Sequence, residues 1–151
     1  MSLGDSFPAA LKTDAITRLL RPGAVLKFPY RGDDGYTKEK RFVVLHVSSQ
    51  SVMCIINTSD SHFLTREPQL AVCQVRMKQG DHKFMDHDSF IDCSTLRPFL
   101  TSEILAILQS STERMLGDID ANTRSEIAAA LKRSPNISQI ELNAVLKSIQ
   151  Q

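Results

Sequence analysis

The sequence predicts an α+β protein with a mainly β core: a small antiparallel barrel or curled sheet, led by one helix and followed by others. Three observations carry this. Lys40–Val47 (KRFVVLHV) and Val52–Ser59 (VMCIINTS) are neighbouring apolar runs rich in β-branched residues, and Ser48-Ser49-Gln50-Ser51 between them suits a tight hairpin. Further short apolar runs follow at close spacing, with too little chain between them for crossover helices. From Thr101 the apolar period changes: Ile104, Leu105, Ile107 and Leu108 fall on one helical stripe.

Taken in order, Pro8–Leu20 reads as a helix with Asp5 or Ser6 able to cap it, and Arg21-Pro22-Gly23 ends it. Ala24–Tyr30 is a strand whose Pro29 belongs at an edge or near its end. Arg31–Glu39 (RGDDGYTKE) is a polar loop with two glycines leading into the Lys40 strand. After Thr58, residues 59–68 form a second polar loop. Gln69–Met77, His82–Met85, Ser89–Ser94 and Leu96–Leu100 read as short strands. The helix from Thr101 should run to Gly117. Thr123-x-x-Glu126 and Ser138-x-x-Glu141 both fit the capping box, predicting helices over Thr123–Arg133 and Ser138–Ile149 around a Ser134-Pro135-Asn136 turn. The expected organisation is a barrel domain over residues 1–117 and a helical extension over 118–151, packed on or beside it.

Composition bounds the function. The 151 residues are 42% apolar and 23% charged, which suits a globular domain with a real core. No apolar run approaches the roughly 20 residues of a membrane span. The first residues lack the basic and apolar regions of a signal peptide, so a cytoplasmic protein with no membrane partner is expected. Three widely spaced cysteines (Cys54, Cys73, Cys93) imply no disulfide framework and read as small buried hydrophobes. The net charge is only +1, with 13 basic and 11 acidic groups before residue 101 against 5 and 6 after it. That excludes a general nucleic-acid coat and leaves room for a local site.

The candidate site follows from the hairpin. In an antiparallel pair the start of one strand lies beside the end of the next, which brings Lys40 and Arg41 near Thr58 and Ser59. A cation beside a hydroxyl suits a phosphate, although a solvated strand start and a polar strand end would leave the same pattern. Lys27, Arg31 and Lys38 are the cations nearest this end. No P-loop, GxGxxG, HExxH or GxSxG motif is present, which argues against a nucleotide-hydrolysing enzyme. Cys73, His82, His87 and Cys93 are zinc-ligand types without short knuckle spacing, so no metal or other cofactor is expected. His82, Asp86, His87 and Asp88 form a titratable cluster that either a His-dependent hydrolase or a polar turn would explain.

The Pro-Gly turn, the strand Ala24–Tyr30, the glycine-bearing loop, the cation-led strand Lys40–Val47 with its Val43-Val44-Leu45, and the Thr-ended strand Val52–Thr58 resemble the MazF/PemK (CcdB-like) toxin superfamily. Ser89–Leu96 (SFIDCSTL) and the helix from Thr101 are similar to that family's ending, so the resemblance spans about residues 22–112. It implies an SH3-like barrel acting as a metal-independent endoribonuclease (an mRNA interferase) on single-stranded RNA, whose own 2′-hydroxyl attacks. It also implies a homodimer and an antitoxin partner. Lys40 falls where the family has arginine, Arg41 where it has proline, and Thr58 on its threonine. Lys40, Arg41 and Thr58 are then the catalytic candidates, with Lys27, Arg31, Lys38 and Ser59 binding substrate. The Arg-Pro dipeptide is absent, and a shift of one residue along a strand turns a side chain to the other face. The alternative is a non-catalytic barrel of the same shape that binds a protein or nucleic acid.

Overall fold

A computed structural model of the chain describes residues 9–32, 34–57 and 68–150, with side chains from residue 13 onward. Its centre is β2 (Thr37–Val47), where Phe42, Val43, Val44 and Leu45 are all fully buried. Four buried residues in a row require cover on both faces of the strand, because successive side chains point to opposite sides. β1 (Ala24–Arg31) pairs with one edge of β2, and β3 (Gln50–Asn57) with the other after a tight turn at Ser48-Ser49. Among the described strands all pairings are antiparallel, and the order is β4 (Gln74–Met77), β5 (Ser89–Asp92), β3, β2, β1 and β7 (Met115–Asp118).

The outer edge of β3 is shared. Gln50–Met53 pairs with β6 (Arg97–Leu100), whereas Ile56 and Asn57 pair with β5 (Ser89–Asp92), which in turn holds β4 (Gln74–Met77). Two partners diverging from one strand curl the sheet into an antiparallel half-barrel, so the α+β expectation holds.

Each face has its own core. Leu26, Phe28, Phe42, Val44, Met53 and Ile55 pack under α1 (Ala9–Leu19) and α3 (Thr101–Ser110) through Ile16, Ile104 and Leu108. Val25, Val43, Leu45, Cys54, Ile56 and Ile91 pack under α4 (Ala121–Arg133) and α5 (Gln139–Ile149) through Ile127, Leu131, Val145 and Ile149. Burying each of the larger side chains contributes about 1.5–3 kcal/mol, which explains why both pairs of helices stay docked. Among the described residues, no helix is long and apolar enough to cross a membrane.

Several elements differ from the sequence expectation. The Gln69–Met77 strand is confined to β4, because Pro68–Ala71 forms the short helical turn α2, where proline is tolerated in the first turn. His82–Met85 is a turn, closed by the Met85 N–H donating to the His82 carbonyl at 3.1 Å. The helix from Thr101 stops at Ser110, and Met115–Asp118 forms β7 beside β1, across the boundary expected at Gly117. Gly117 is therefore a strand residue. A Cβ there would lie 2.7 Å from the Phe84 ring, so the glycine permits a close approach rather than a helix end. The Thr123 capping box also gives way: Asp120 is the N-cap, accepting from the Thr123 N–H at 2.7 Å, and Thr123 sits inside the first turn. The Ser138–Glu141 capping box forms as expected, with both reciprocal bonds at 3.2 Å.

Candidate functional site

Strand alternation fixes which side chains meet. On β2, Lys38 and Lys40 share a face with Phe42, and the β1 register sets Tyr30 opposite Lys38 and Phe28 opposite Lys40. Underneath, the rings of Phe28, Tyr30, Phe42 and Phe99 form one aromatic cluster, with Phe28 stacked on Phe42 at 4.6 Å and Tyr30 edge-on to Phe42 at 5.3 Å. Such contacts contribute about 0.5–1.5 kcal/mol per pair beyond area burial and hold the phenol of Tyr30 in place. Arg97 approaches from β6, and its Nη1 donates to the Tyr30 hydroxyl at 3.2 Å.

These groups line an open cleft of about 240 Å³ formed by Tyr30, Gly32, Asp34, Tyr36, Lys38, Lys40, Ile55 and Arg97. Three hydrogen bonds among described residues shape its rim. Gly32 N–H donates to the Tyr36 carbonyl, Gly35 N–H to the Gly32 carbonyl, each at 3.0 Å, and Tyr36 N–H to Asp34 Oδ1 at 2.9 Å. Gly35 sits at φ +83°, a left-handed conformation that glycine adopts at no steric cost. The loop presents Tyr36 to solvent, 70% exposed.

The lining is rich in donors. Three cations and one carboxylate give the described lining a net charge of +2. Lys38 lies 4.0 Å from Asp34, with both side chains more than half exposed, a contact that water screens strongly. Lys40 and Arg97 have no carboxylate partner among the described residues, and Arg97 Nε is buried with no hydrogen-bond partner there. Because the Tyr30 hydroxyl accepts from Arg97, its own proton is free to donate to a ligand. Ammonium, guanidinium and phenol together make a pocket for an anion.

The other expected site residues lie elsewhere. Arg41 stands opposite Lys27 in the β1–β2 register, so both project from the face opposite Lys40. Arg41 reaches Asp86 at 3.8 Å. Lys27 lines a separate depression with Glu39 and Arg114, where Arg114 Nη1 donates to the Lys27 carbonyl at 3.1 Å and to Glu39 at 3.0 Å. Arg31 is exposed at the end of β1, opposite Thr37. Thr58 and Ser59 lie outside the described residues. The structure thus brings Lys38 and Lys40 together and separates them from Arg41 and Lys27.

The histidines do not share a site. His82 is buried against Phe84, and its Nε2 accepts from the Asp120 N–H at 3.2 Å. His87 is exposed beside Asp86, at 4.0 Å. Asp88 is engaged by Arg76 at 2.9 Å and by the Gln79 N–H at 2.7 Å; the Gln79 bond and then the Arg76 bond hold its carboxyl below the usual range. Among the described residues, no group of three or more His, Cys, Asp or Glu side chains is placed to hold a metal ion.

Sequence reading missed Arg97, Tyr30 and Tyr36. Arg97 is 67 residues from the phenol it bonds, so no local spacing could have paired them. Fold and cleft together describe a small α+β half-barrel protein with a solvent-open, cation-lined cleft. Compared with known proteins, the chain matches no family model and no curated protein.

Proposed function

We propose that the protein binds single-stranded RNA with one phosphodiester seated between Lys40, Arg97 and the Tyr30 hydroxyl, and cleaves it without metal. The observation that carries this reading is the convergence of three donors on one cleft, two of them cations without a carboxylate partner among the described residues. An exposed aromatic on the rim, Tyr36, adds a stacking surface for an unpaired base. The resemblance to MazF/PemK toxins supports the same end of the same strand, with Lys40 as its leading cation.

In this reading the 2′-oxygen attacks phosphorus and the 5′-oxygen leaves, giving a 2′,3′-cyclic phosphate and a 5′-hydroxyl. Fixed donors favour the more highly charged phosphorane over the ground state. Asp34, the carboxylate of the described lining, is the group suited to accept the 2′-hydroxyl proton. Thr58 keeps the hydroxyl-donor role that the resemblance implies for it. A cytoplasmic toxin that is a homodimer and is restrained by an antitoxin belongs to the same proposal.

The second reading is a non-catalytic barrel that only binds nucleic acid or protein. The position of Arg41 favours it, because the face opposite the cleft holds a cation expected to clamp the phosphate. End-labelled single-stranded RNA in EDTA separates the readings. Cleavage to cyclic-phosphate ends, lost in Lys40→Ala and Arg97→Ala, supports the nuclease. Binding without cleavage supports the second reading for nucleic acid, and neither binding nor cleavage overturns the RNA proposal.

A further inference from the structure

Three cysteines far apart in sequence form one row across the sheet. β4 and β5 pair with Val75 opposite Ile91 and Gln74 opposite Asp92, so the next rung sets Cys73 opposite Cys93. The Cys93 N–H donates to the Cys73 carbonyl at 3.0 Å. β3 and β5 pair with Asn57 opposite Phe90 and Ile56 opposite Ile91, and continuing that register sets Cys54 opposite Cys93. All three thiols are free and fully buried, and Cys54 and Cys93 belong to the core under α4 and α5.

The two junctions differ. In an antiparallel ladder the N–H and C=O of one residue point to the same side. The β3–β5 ladder ends at Ile56 opposite Ile91; continued to Cys54 and Cys93, and with the Cys93 N–H facing Cys73, the register gives a rung of the non-hydrogen-bonded kind. Such rungs hold Cα atoms about 4.5 Å apart, against about 5.5 Å for hydrogen-bonded ones, with side chains closer together. Disulfides take Cα separations of about 4.4–6.8 Å, a range that includes the spacing of such a rung. The Cys54 and Cys93 side chains lie in the same core, whereas the Cys73 thiol turns away to donate to the Gln69 carbonyl at 3.8 Å.

We propose that Cys54 and Cys93 are a redox modification site, a dithiol that closes to a cross-strand disulfide when hydrogen peroxide reaches it, with Cys73 as a bystander. One thiol attacks the peroxide oxygen, giving a sulfenic acid and water. The second thiol then displaces the sulfenic hydroxyl as a second water, and the S–S bond forms. The cysteine pair loses two electrons and two protons, and the peroxide is reduced to two waters. The Cys54 thiol and burial push the Cys93 thiol well above its usual range, so the reaction is slow and waits on local opening. Closure ties β3 to β5 and shuts a loop containing α2 and β4. β3 also carries Ile55 into the cleft.

The test uses the whole folded chain. It is incubated with hydrogen peroxide at mildly alkaline pH, quenched by unfolding in an alkylating agent, and mapped as peptides. The expected result is a Cys54–Cys93 link with the loss of two hydrogens, reversed by dithiothreitol, and a Tm raised by roughly 5–15 °C. Cys73→Ala should still form it. A link through Cys73, oxygen addition without a link, or three thiols still open to alkylation overturns the proposal. The map of the unmutated protein is decisive even if a variant fails to fold.

Discussion

Tyr30 and Arg97 meet across the open side of the half-barrel, the guanidinium Nη1 donating to the phenol at 3.2 Å over 67 residues of sequence. The phenol is held by Phe42 and Phe99, and the arginine is delivered by β6, which pairs with β3 alone. Neither residue lies in the stretch that draws the eye in the sequence. Their contact holds two of the donors that line the same cleft as Lys40.

Removing that contact should reach the ligand more than the fold. Tyr30→Phe keeps the ring packing and deletes one hydrogen bond, so stability should fall by only about 0.5–1.5 kcal/mol. RNA affinity should fall about 5–10-fold, because the phenol donor and the orientation of Arg97 are lost together. Calorimetric unfolding and fluorescence anisotropy check the two halves.

The two faces of β2 predict opposite outcomes for adjacent residues. Lys40→Ala and Arg97→Ala should each weaken RNA binding about 10–100-fold, the range for a charge-assisted hydrogen bond. Arg41→Ala should change it by less than about 3-fold, since Arg41 projects from the other face toward Asp86 and does not line the cleft. Equal losses in all three variants would refute the cleft.

Salt should report how many phosphates are contacted. One phosphate neutralised in the cleft gives a slope of log affinity against log salt of about −0.7 for a single strand. A slope near zero would exclude phosphate contact in the cleft.

Asp120 links the start of α4 to His82. The Thr123 N–H, and then the Thr123 side chain, hold its carboxyl below the usual carboxylate value. A depressed folded value means the stabilisation is present above the unfolded value of about 3.9 and is lost as pH falls through the folded one. Asp120→Ala should cost about 1 kcal/mol at pH 7, with a range of 0.5–2, and the gap to the unmutated protein should narrow below about pH 4. Urea unfolding across pH measures it.

Gly117 predicts a compensating pair. Gly117→Ala drives a methyl into the Phe84 ring and should destabilise by about 1–3 kcal/mol. Phe84→Ala, costly alone, should remove most of the extra penalty in the double variant, and a double-mutant cycle reads that coupling. Strict additivity would show that the clash relaxes elsewhere.

The strands legible in sequence are those whose reasons are local. β1, β2 and β3 carry runs of β-branched and aromatic residues, and Ser48-Ser49 turns the chain between the last two. β7 is different. Met115–Asp118 carries no strand signal of its own and is a strand because β1 offers a free edge beside it. The same holds at Asp120, where a carboxylate three residues upstream of Thr123 takes the cap that the Thr123-x-x-Glu126 pattern had suggested.

By itself the sequence determined a curled antiparallel sheet with flanking helices, and it singled out the entrance of β2 as a place for cations. Hydrophobic period and turn chemistry are properties of neighbouring residues, so a linear reading can find them. Only the tertiary structure decided that Lys40 faces Arg97 and Tyr30 while Arg41 faces Asp86. That choice depends on strand register and on what covers each face, and both are set by contacts between residues dozens of positions apart.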